Sequence, residues 1–109
     1  MVDTLDRLVM LDSPSSDREA VNAAGLFLAD GFRALDAGVE HLPETAYGDH
    51  LRVTWGEGDR QLLLLGHMDT VWPVGETERR PFRVVADTAA GSLTGTGPGI
   101  FDMKGGLVI

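Results

Sequence analysis

The sequence contains no cysteine among its 109 residues. This absence excludes disulfide frameworks, thiolate zinc sites and cysteine nucleophiles. Basic residues are also scarce: nine stand against 17 acidic residues, and the net charge is -8. Since a protein that binds a phosphate backbone needs a basic face, we expect no nucleic acid partner.

The sequence also lacks a long apolar segment. Its most hydrophobic run is four leucines at residues 62–65, whereas a transmembrane helix needs about 20 apolar residues. Residues 1–6 are partly acidic and show neither the basic nor the apolar region of a secretory signal. These features predict a cytoplasmic protein with no membrane partner.

Size and composition are those of one ordinary globular domain. Hydrophobic residues make up 43% of the chain and charged residues 24%, close to average globular usage. A second domain of ordinary size does not fit into this length. We therefore treat residues 1–109 as one unit.

The first third of the sequence predicts helices. Apolar residues of the first ten or so positions fit one face of a short helix, which Pro14 should stop. Ser16 and Glu19 have the spacing of a capping box. A second amphipathic stripe follows from Val21 to Leu35, and Gly38 stands where a C-terminal cap belongs.

The middle of the sequence predicts strands. Residues 39–42 form a short candidate strand, and Leu51, Val53 and Trp55 alternate with polar neighbours. The leucines at 62–65 are typical of a strand buried on both faces, although a buried helical turn is the alternative. The fold class predicted from these elements is α/β, a mixed sheet with flanking helices.

Chemistry-bearing residues follow directly after the leucine run. His67 and Asp69 come after Gly66, and ligands of open α/β sheets bind beyond the carboxyl ends of strands. Residues two apart in an extended segment point to the same side, so both side chains can face one site. An imidazole is a good zinc ligand, and a neighbouring carboxylate can orient it. Taken alone, the pair is equally typical of a hydrogen-bonded turn.

A second cluster, rich in glycine, occupies residues 91–106. Its glycine spacing matches neither a Walker loop nor a dinucleotide-binding loop, so we expect the glycines to serve tight turns near a site. Asp102 ends this segment before an expected helix beginning near Gly105. Its alternative role is that of a helix N-cap.

The two clusters together resemble the M20 family of metallopeptidases, and within it the glutamate carboxypeptidase type. The resemblance rests on Gly-His-Met-Asp-Thr-Val-Trp-Pro at residues 66–73, Pro-Phe at 81–82 and Gly-Pro-Gly-Ile-Phe-Asp-Met-Lys-Gly-Gly at 97–106. Ser-Pro-Ser at 13–15 also looks like the family's N-terminus. The implied fold is the N-terminal portion of a zinc-aminopeptidase-like catalytic domain, incomplete here and without the family's lid domain.

The resemblance also implies roles for three residues. His67 would ligate one metal, Asp102 would bridge two metals, and Asp69 would be an active-site residue that maintains the geometry of the site. The family uses two zinc ions, sometimes replaced by cobalt or manganese, to polarise a carbonyl and activate water. The resemblance also implies a cis peptide bond between Asp102 and Met103. The family's catalytic base and remaining ligands have no match within residues 1–109, and His41 and His50 are expected to be surface or packing residues.

The predicted function is metal-dependent hydrolysis of an amide bond next to a free carboxylate, as in a peptide with a C-terminal glutamate. One alternative is an N-acyl-amino-acid deacylase or desuccinylase of the same family. Another is a metal-binding or interaction module without catalysis. The expected substrate is a small peptide or an N-acyl amino acid, and the complete protein of this family can be a homodimer. The isolated 109-residue chain is expected to be inactive.

Overall fold

A computed structural model describes all residues from Met1 to Ile109. The chain forms helices, two hairpins and connecting loops in an order that begins with two helices. The elements are α1 (Val2–Val9), α2 (Arg18–Arg33), β1 (Gly38–Leu42), β2 (His50–Thr54), α3 (Glu76–Arg79), β3 (Arg83–Asp87), β4 (Ser92–Thr96) and a π-helical turn (Ile100–Lys104).

The protein is a mixed α/β structure, but its strands do not form one sheet. β1 pairs with β2 and β3 pairs with β4, each as a separate antiparallel two-stranded sheet. The predicted α/β class is confirmed, but residues 1–109 form two separate hairpins rather than the predicted mixed sheet with flanking helices. The one parallel pairing is an isolated bridge between Pro14 and Thr70.

The N-terminus of α2 is capped one residue later than the sequence predicts. An Asp17 carboxylate oxygen accepts a hydrogen bond from the Ala20 amide at 3.0 Å. Asp17, and not Ser16, is therefore the N-cap residue. Its negative charge also interacts favourably with the positive N-terminal end of the helix dipole. Behind this cap, Ala24 and Leu28 bury against Leu8 of α1 to form the core.

The C-terminus of α2 comes earlier than the apolar stripe suggests. The helix ends at Arg33, Leu35 lies 64% exposed beyond it, and Gly38 begins β1 rather than capping the helix. The Trp55 indole donates to the Leu35 carbonyl and meets the Phe32 ring edge-on.

No helix in the protein is both long enough and apolar enough to cross a membrane.

The leucine run at residues 62–65 is not a buried strand. These residues pair with no strand, and their side chains are 77–86% exposed. A strand buried on both faces needs a sheet whose two faces are covered, usually by helices. Residues 62–65 belong to no sheet and are exposed, so the predicted burial is wrong here.

The glycine-rich segment contains a strand that the sequence does not reveal. Residues 92–96 form β4, in which Gly95 lies opposite Val84 of β3. The expected helix near Gly105 is also absent, because residues 105–108 form turns after the π-helical turn. Glycine and threonine carry little strand signal, and pairing with β3 decides the structure of this segment.

A glycine in the loop before β2 lets the loop approach α2 closely. A Cβ atom on Gly48 would lie 2.5 Å from the Cβ of Val21, a buried residue of α2. We predict that Gly48→Ala lowers the free energy of unfolding by about 1–3 kcal/mol, as overpacking does. Gly31→Ala is the matched control, since nothing lies within 4 Å of its added methyl group. Alanine there should raise stability by about 0.5–1 kcal/mol. Urea unfolding measures both, and equal effects would contradict the packing described here.

Candidate metal site

Two distant segments are joined by backbone pairing beneath the candidate site. The Thr70 amide donates to the Ser13 carbonyl at 2.7 Å, and the Ser15 amide donates to the Thr70 carbonyl at 3.1 Å. The buried Ser13 hydroxyl adds a bond to the Met68 carbonyl at 2.8 Å. We call this pairing of residues 13–15 with residues 68–70 the seam. It fixes the segment that carries His67 and Asp69 to the connection between α1 and α2.

The His67 ring is oriented by Asp69. Its Nδ1 lies 3.0 Å from the Asp69 carbonyl oxygen and 3.3 Å from a carboxylate oxygen of the same residue. Because a carbonyl can only accept, Nδ1 must carry the proton of this hydrogen bond. The other ring nitrogen, Nε2, is therefore directed away from Asp69.

Asp102 reaches the same place through a glycine turn. Gly99 has φ +71°, and a Cβ atom there would lie 2.5 Å from the Cγ2 of Thr70. Only glycine permits both this backbone conformation and this close approach. The turn places the following π-helical segment, with Asp102, against the seam. The peptide bond between Asp102 and Met103 is cis, as the family resemblance implies.

The structure brings His67, Asp69 and Asp102 together in one cleft. Nε2 of His67 lies 2.9 Å from a carboxylate oxygen of Asp102. The cleft has a volume of about 280 Å³, and Ser15 and Trp72 also line it. The side chains of His67 and Asp102 are 45% and 81% exposed, so a ligand can reach both. Asp102 does not serve as a simple helix N-cap, because its carboxylate faces the imidazole.

The electrostatics of the cleft favour a cation. Partial burial opposes charging of His67, but its hydrogen bonds to Asp102 and to the Asp69 carbonyl outweigh this effect and raise its pKa above the ordinary value. Both neighbouring carboxylates act in the same direction. The two carboxylates and the hydrogen bonds therefore favour the protonated, positively charged form of His67.

These donors fit part of a zinc site. Imidazole nitrogen and carboxylate oxygen are ordinary zinc ligands, with bond lengths of about 2.0–2.2 Å. Two such bonds together exceed the 2.9 Å between Nε2 and the Asp102 oxygen, so one ion can touch both atoms. No three histidine or acidic side chains in the protein converge into a complete metal-binding group. His41 and His50 lie on β1 and β2, outside the cleft.

The rim of the cleft carries an aromatic–cation pair. The guanidinium of Arg80 stacks over the Trp72 ring at 4.0 Å, close enough for a cation–π interaction. Arg80 also pairs with Glu76, which is buried to 4% exposure and binds Arg79 as well. Glu76 thus holds the arginine in place beside the cleft.

Two residues that support the site were not singled out by the sequence. Ser15 donates to the Asp69 carboxylate, and the hydroxyls of residues 13–15 carry no pattern that indicates such a contact. Lys104 is 1% exposed and donates from Nζ to the Leu11 carbonyl. Burial lowers the pKa of Lys104 to about 8, although Asp12 partly opposes the shift. The only signal for Lys104 was its place in the motif two residues after Asp102.

Comparison with known proteins finds a relative of known activity. No protein-family model matches the chain. The whole chain is 37% identical over 112 aligned positions to carboxypeptidase G2 of Pseudomonas sp. (strain RS-16). The alignment covers 26% of that protein, so the chain spans about a quarter of the length of its relative. This likeness supports a relationship to carboxypeptidase-type hydrolases.

Lys104 ties the loop behind Asp102 to the end of α1. We predict that Lys104→Ala lowers the free energy of unfolding by about 2–4 kcal/mol, because it leaves a cavity and an unpaired Leu11 carbonyl. Lys104→Met keeps most of the volume and should cost less. Arg60→Ala, at an exposed position, should change stability by less than about 0.5 kcal/mol. Urea unfolding tests this, and an effect of Lys104→Ala no larger than that of Arg60→Ala would contradict it.

Proposed function

We propose that the chain is the N-terminal part of the catalytic domain of a metal-dependent hydrolase that cleaves an amide bond next to a free carboxylate. The observation that carries the proposal is the contact between Nε2 of His67 and the Asp102 carboxylate at 2.9 Å. Similarity to a carboxypeptidase along the whole chain supports the reaction class.

The contact requires a cation. Because Nδ1 donates its proton to the Asp69 carbonyl, a neutral His67 presents a lone pair at Nε2. The Asp102 carboxylate is also an acceptor, and two acceptors at this distance repel unless a positive species lies between them. A proton on Nε2 meets this need when His67 is charged, and a zinc ion would meet it when the ring is neutral. Cobalt or manganese would suit the same nitrogen and oxygen donors.

Each residue then has a distinct task. His67 and Asp102 would hold the metal, and Asp69 would fix the ring so that Nε2 faces the cleft. Zinc bound there would supply Lewis-acid polarisation of the scissile carbonyl and activation of water. Asp102 would also ligate a second ion, as the family resemblance implies.

The surface of the chain supports its placement within a larger domain. Its accessible area is 7871 Å², whereas a compact protein of 11.7 kDa exposes about 5,900 Å². The radius of gyration is 15.0 Å, against about 13 Å for a compact chain of this length. The exposed leucines at 62–65 contribute to this excess. We propose that a further part of the catalytic domain covers them and supplies the base and the remaining ligands, and that a lid domain completes the enzyme.

The substrate is proposed as a small peptide or an N-acyl amino acid. A peptide with a C-terminal glutamate follows from the likeness to a carboxypeptidase. Deacylation or desuccinylation of an N-acyl amino acid needs the same metal chemistry and is the second candidate. A homodimer of the complete protein is part of the proposal.

Zinc binding tests the assignment of ligands. We predict that the 109-residue chain binds one zinc ion weakly and that His67→Ala or Asp102→Ala abolishes this binding in calorimetry. Asp69→Asn should weaken it about 10–100-fold, as the loss of an orienting partner does. His50→Ala, an exposed histidine on β2, is the control and should bind as the wild type does. Equal binding by wild type and His67→Ala would contradict the assignment.

Activity tests the incompleteness of the site. A catalytic zinc usually has three protein ligands, and residues 1–109 supply two of the predicted ones. We predict that the isolated chain does not hydrolyse acyl-glutamates in a chromatographic assay with added zinc. Hydrolysis that a chelator and His67→Ala both abolish would show that the chain carries a complete site.

A further inference from the structure

We infer that Ser15 is a positioning residue of the metal site: its hydroxyl fixes the Asp69 carboxylate against the His67 ring and so holds Nε2 toward Asp102. The expected effect of Ser15 on metal affinity rests on the proposed function. The structural part of the inference concerns only contacts within the chain.

The two oxygens of the Asp69 carboxylate have separate partners. One accepts a hydrogen bond from the Ser15 hydroxyl at 2.5 Å, and the other lies 3.3 Å from Nδ1 of His67. No lysine or arginine pairs with Asp69 in the protein. Two side chains therefore contact this carboxylate: the His67 ring, which the carboxylate orients, and the Ser15 hydroxyl. The Ser15 hydroxyl is the donor that fixes the rotation of the carboxylate.

The position of the hydroxyl is itself fixed by the seam. The Ser15 amide donates to the Thr70 carbonyl, and Pro14 forms the parallel bridge with Thr70. The donor and the carboxylate it binds thus lie on two backbone segments that are already paired. The pairing fixes the two backbones relative to each other, so only the side-chain torsions of Ser15 and Asp69 remain to be ordered when the hydrogen bond forms.

Ser13 offers a matched comparison within the same seam. Its hydroxyl donates to the Met68 backbone carbonyl and does not contact Asp69. Ser13 is fully buried, whereas Ser15 is half-buried and lines the cleft. Removing the Ser13 hydroxyl weakens the seam, and removing the Ser15 hydroxyl also releases the carboxylate. The two alanine variants therefore separate stability from positioning.

The first measurement uses the metal-free 109-residue chain. Nitrogen-15 NMR at a pH where His67 is neutral reports which ring nitrogen carries the proton. In the wild type we expect the Nδ1–H form to dominate. In Ser15→Ala we expect its share to fall, though not to that of a free imidazole, because the Asp69 carbonyl still accepts from Nδ1. Ser15→Thr should restore the wild-type ratio. Ser13→Ala keeps the Ser15–Asp69 contact and the backbone pairing, and it should shift the ratio less than Ser15→Ala does. A ratio unaffected by Ser15→Ala would overturn the inference.

The second measurement is zinc affinity by competition with a chromophoric chelator. We expect Ser15→Ala to weaken binding about tenfold, the lower end for loss of an orienting partner, and Ser15→Thr to recover it. Ser13→Ala should lower the urea midpoint and weaken the affinity less than Ser15→Ala does. In an Asp69→Ala background, Ser15→Ala should have no further effect on affinity, as expected for residues that act through one contact. An undiminished Ser15 effect in that background would overturn the inference.

The two measurements also distinguish this inference from the proposed function. If the wild type shows no zinc binding that depends on His67, the proposed function fails. The ring-proton ratio then still decides the role of Ser15. A shifted ratio in Ser15→Ala supports the positioning role without metal, and an unchanged ratio rejects it.

Discussion

The seam between residues 13–15 and residues 68–70 is the constraint on which the candidate site depends. Two backbone hydrogen bonds and the buried Ser13 hydroxyl join segments more than 50 positions apart in sequence. His67 and Asp69 follow no strand and lie on an otherwise irregular segment. Without the seam, nothing in the local structure would hold the imidazole at the edge of the cleft.

Asp102 is brought to the imidazole by a different device. The left-handed turn at Gly99 packs against Thr70, and the buried Lys104 ties the following turn to the end of α1. Gly99 and Thr70 themselves line the cleft, whereas Lys104 is buried at 1% exposure. The backbone around Asp102 is thereby held in place, while its side chain stays 81% exposed and accessible to a ligand.

The sequence predicted the local elements better than their assembly. The amphipathic stripe around Ala24 and Leu28 located α2, and alternation around Leu51 located β2, because each pattern reflects burial on one face. The leucines at 62–65 predicted a buried strand and are exposed instead, since an apolar run forms a buried strand only when it has a sheet to join. The glycine-rich strand β4 was not predicted, because pairing with β3 rather than its own residue types determines its structure.

Of the candidate site, the sequence predicted the residues but not their support. His67, Asp69 and Asp102 were found from motifs that reflect ligand chemistry, and the structure places them in one cleft. Ser15 and Lys104 act through contacts with distant backbone, which no local pattern encodes.

The most direct test of the account is anomalous diffraction at the zinc edge from crystals of the chain grown with zinc. The account predicts a peak about 2.0–2.2 Å from both Nε2 of His67 and an Asp102 oxygen. Zinc bound elsewhere, with His67 still hydrogen-bonded directly to Asp102, would contradict it.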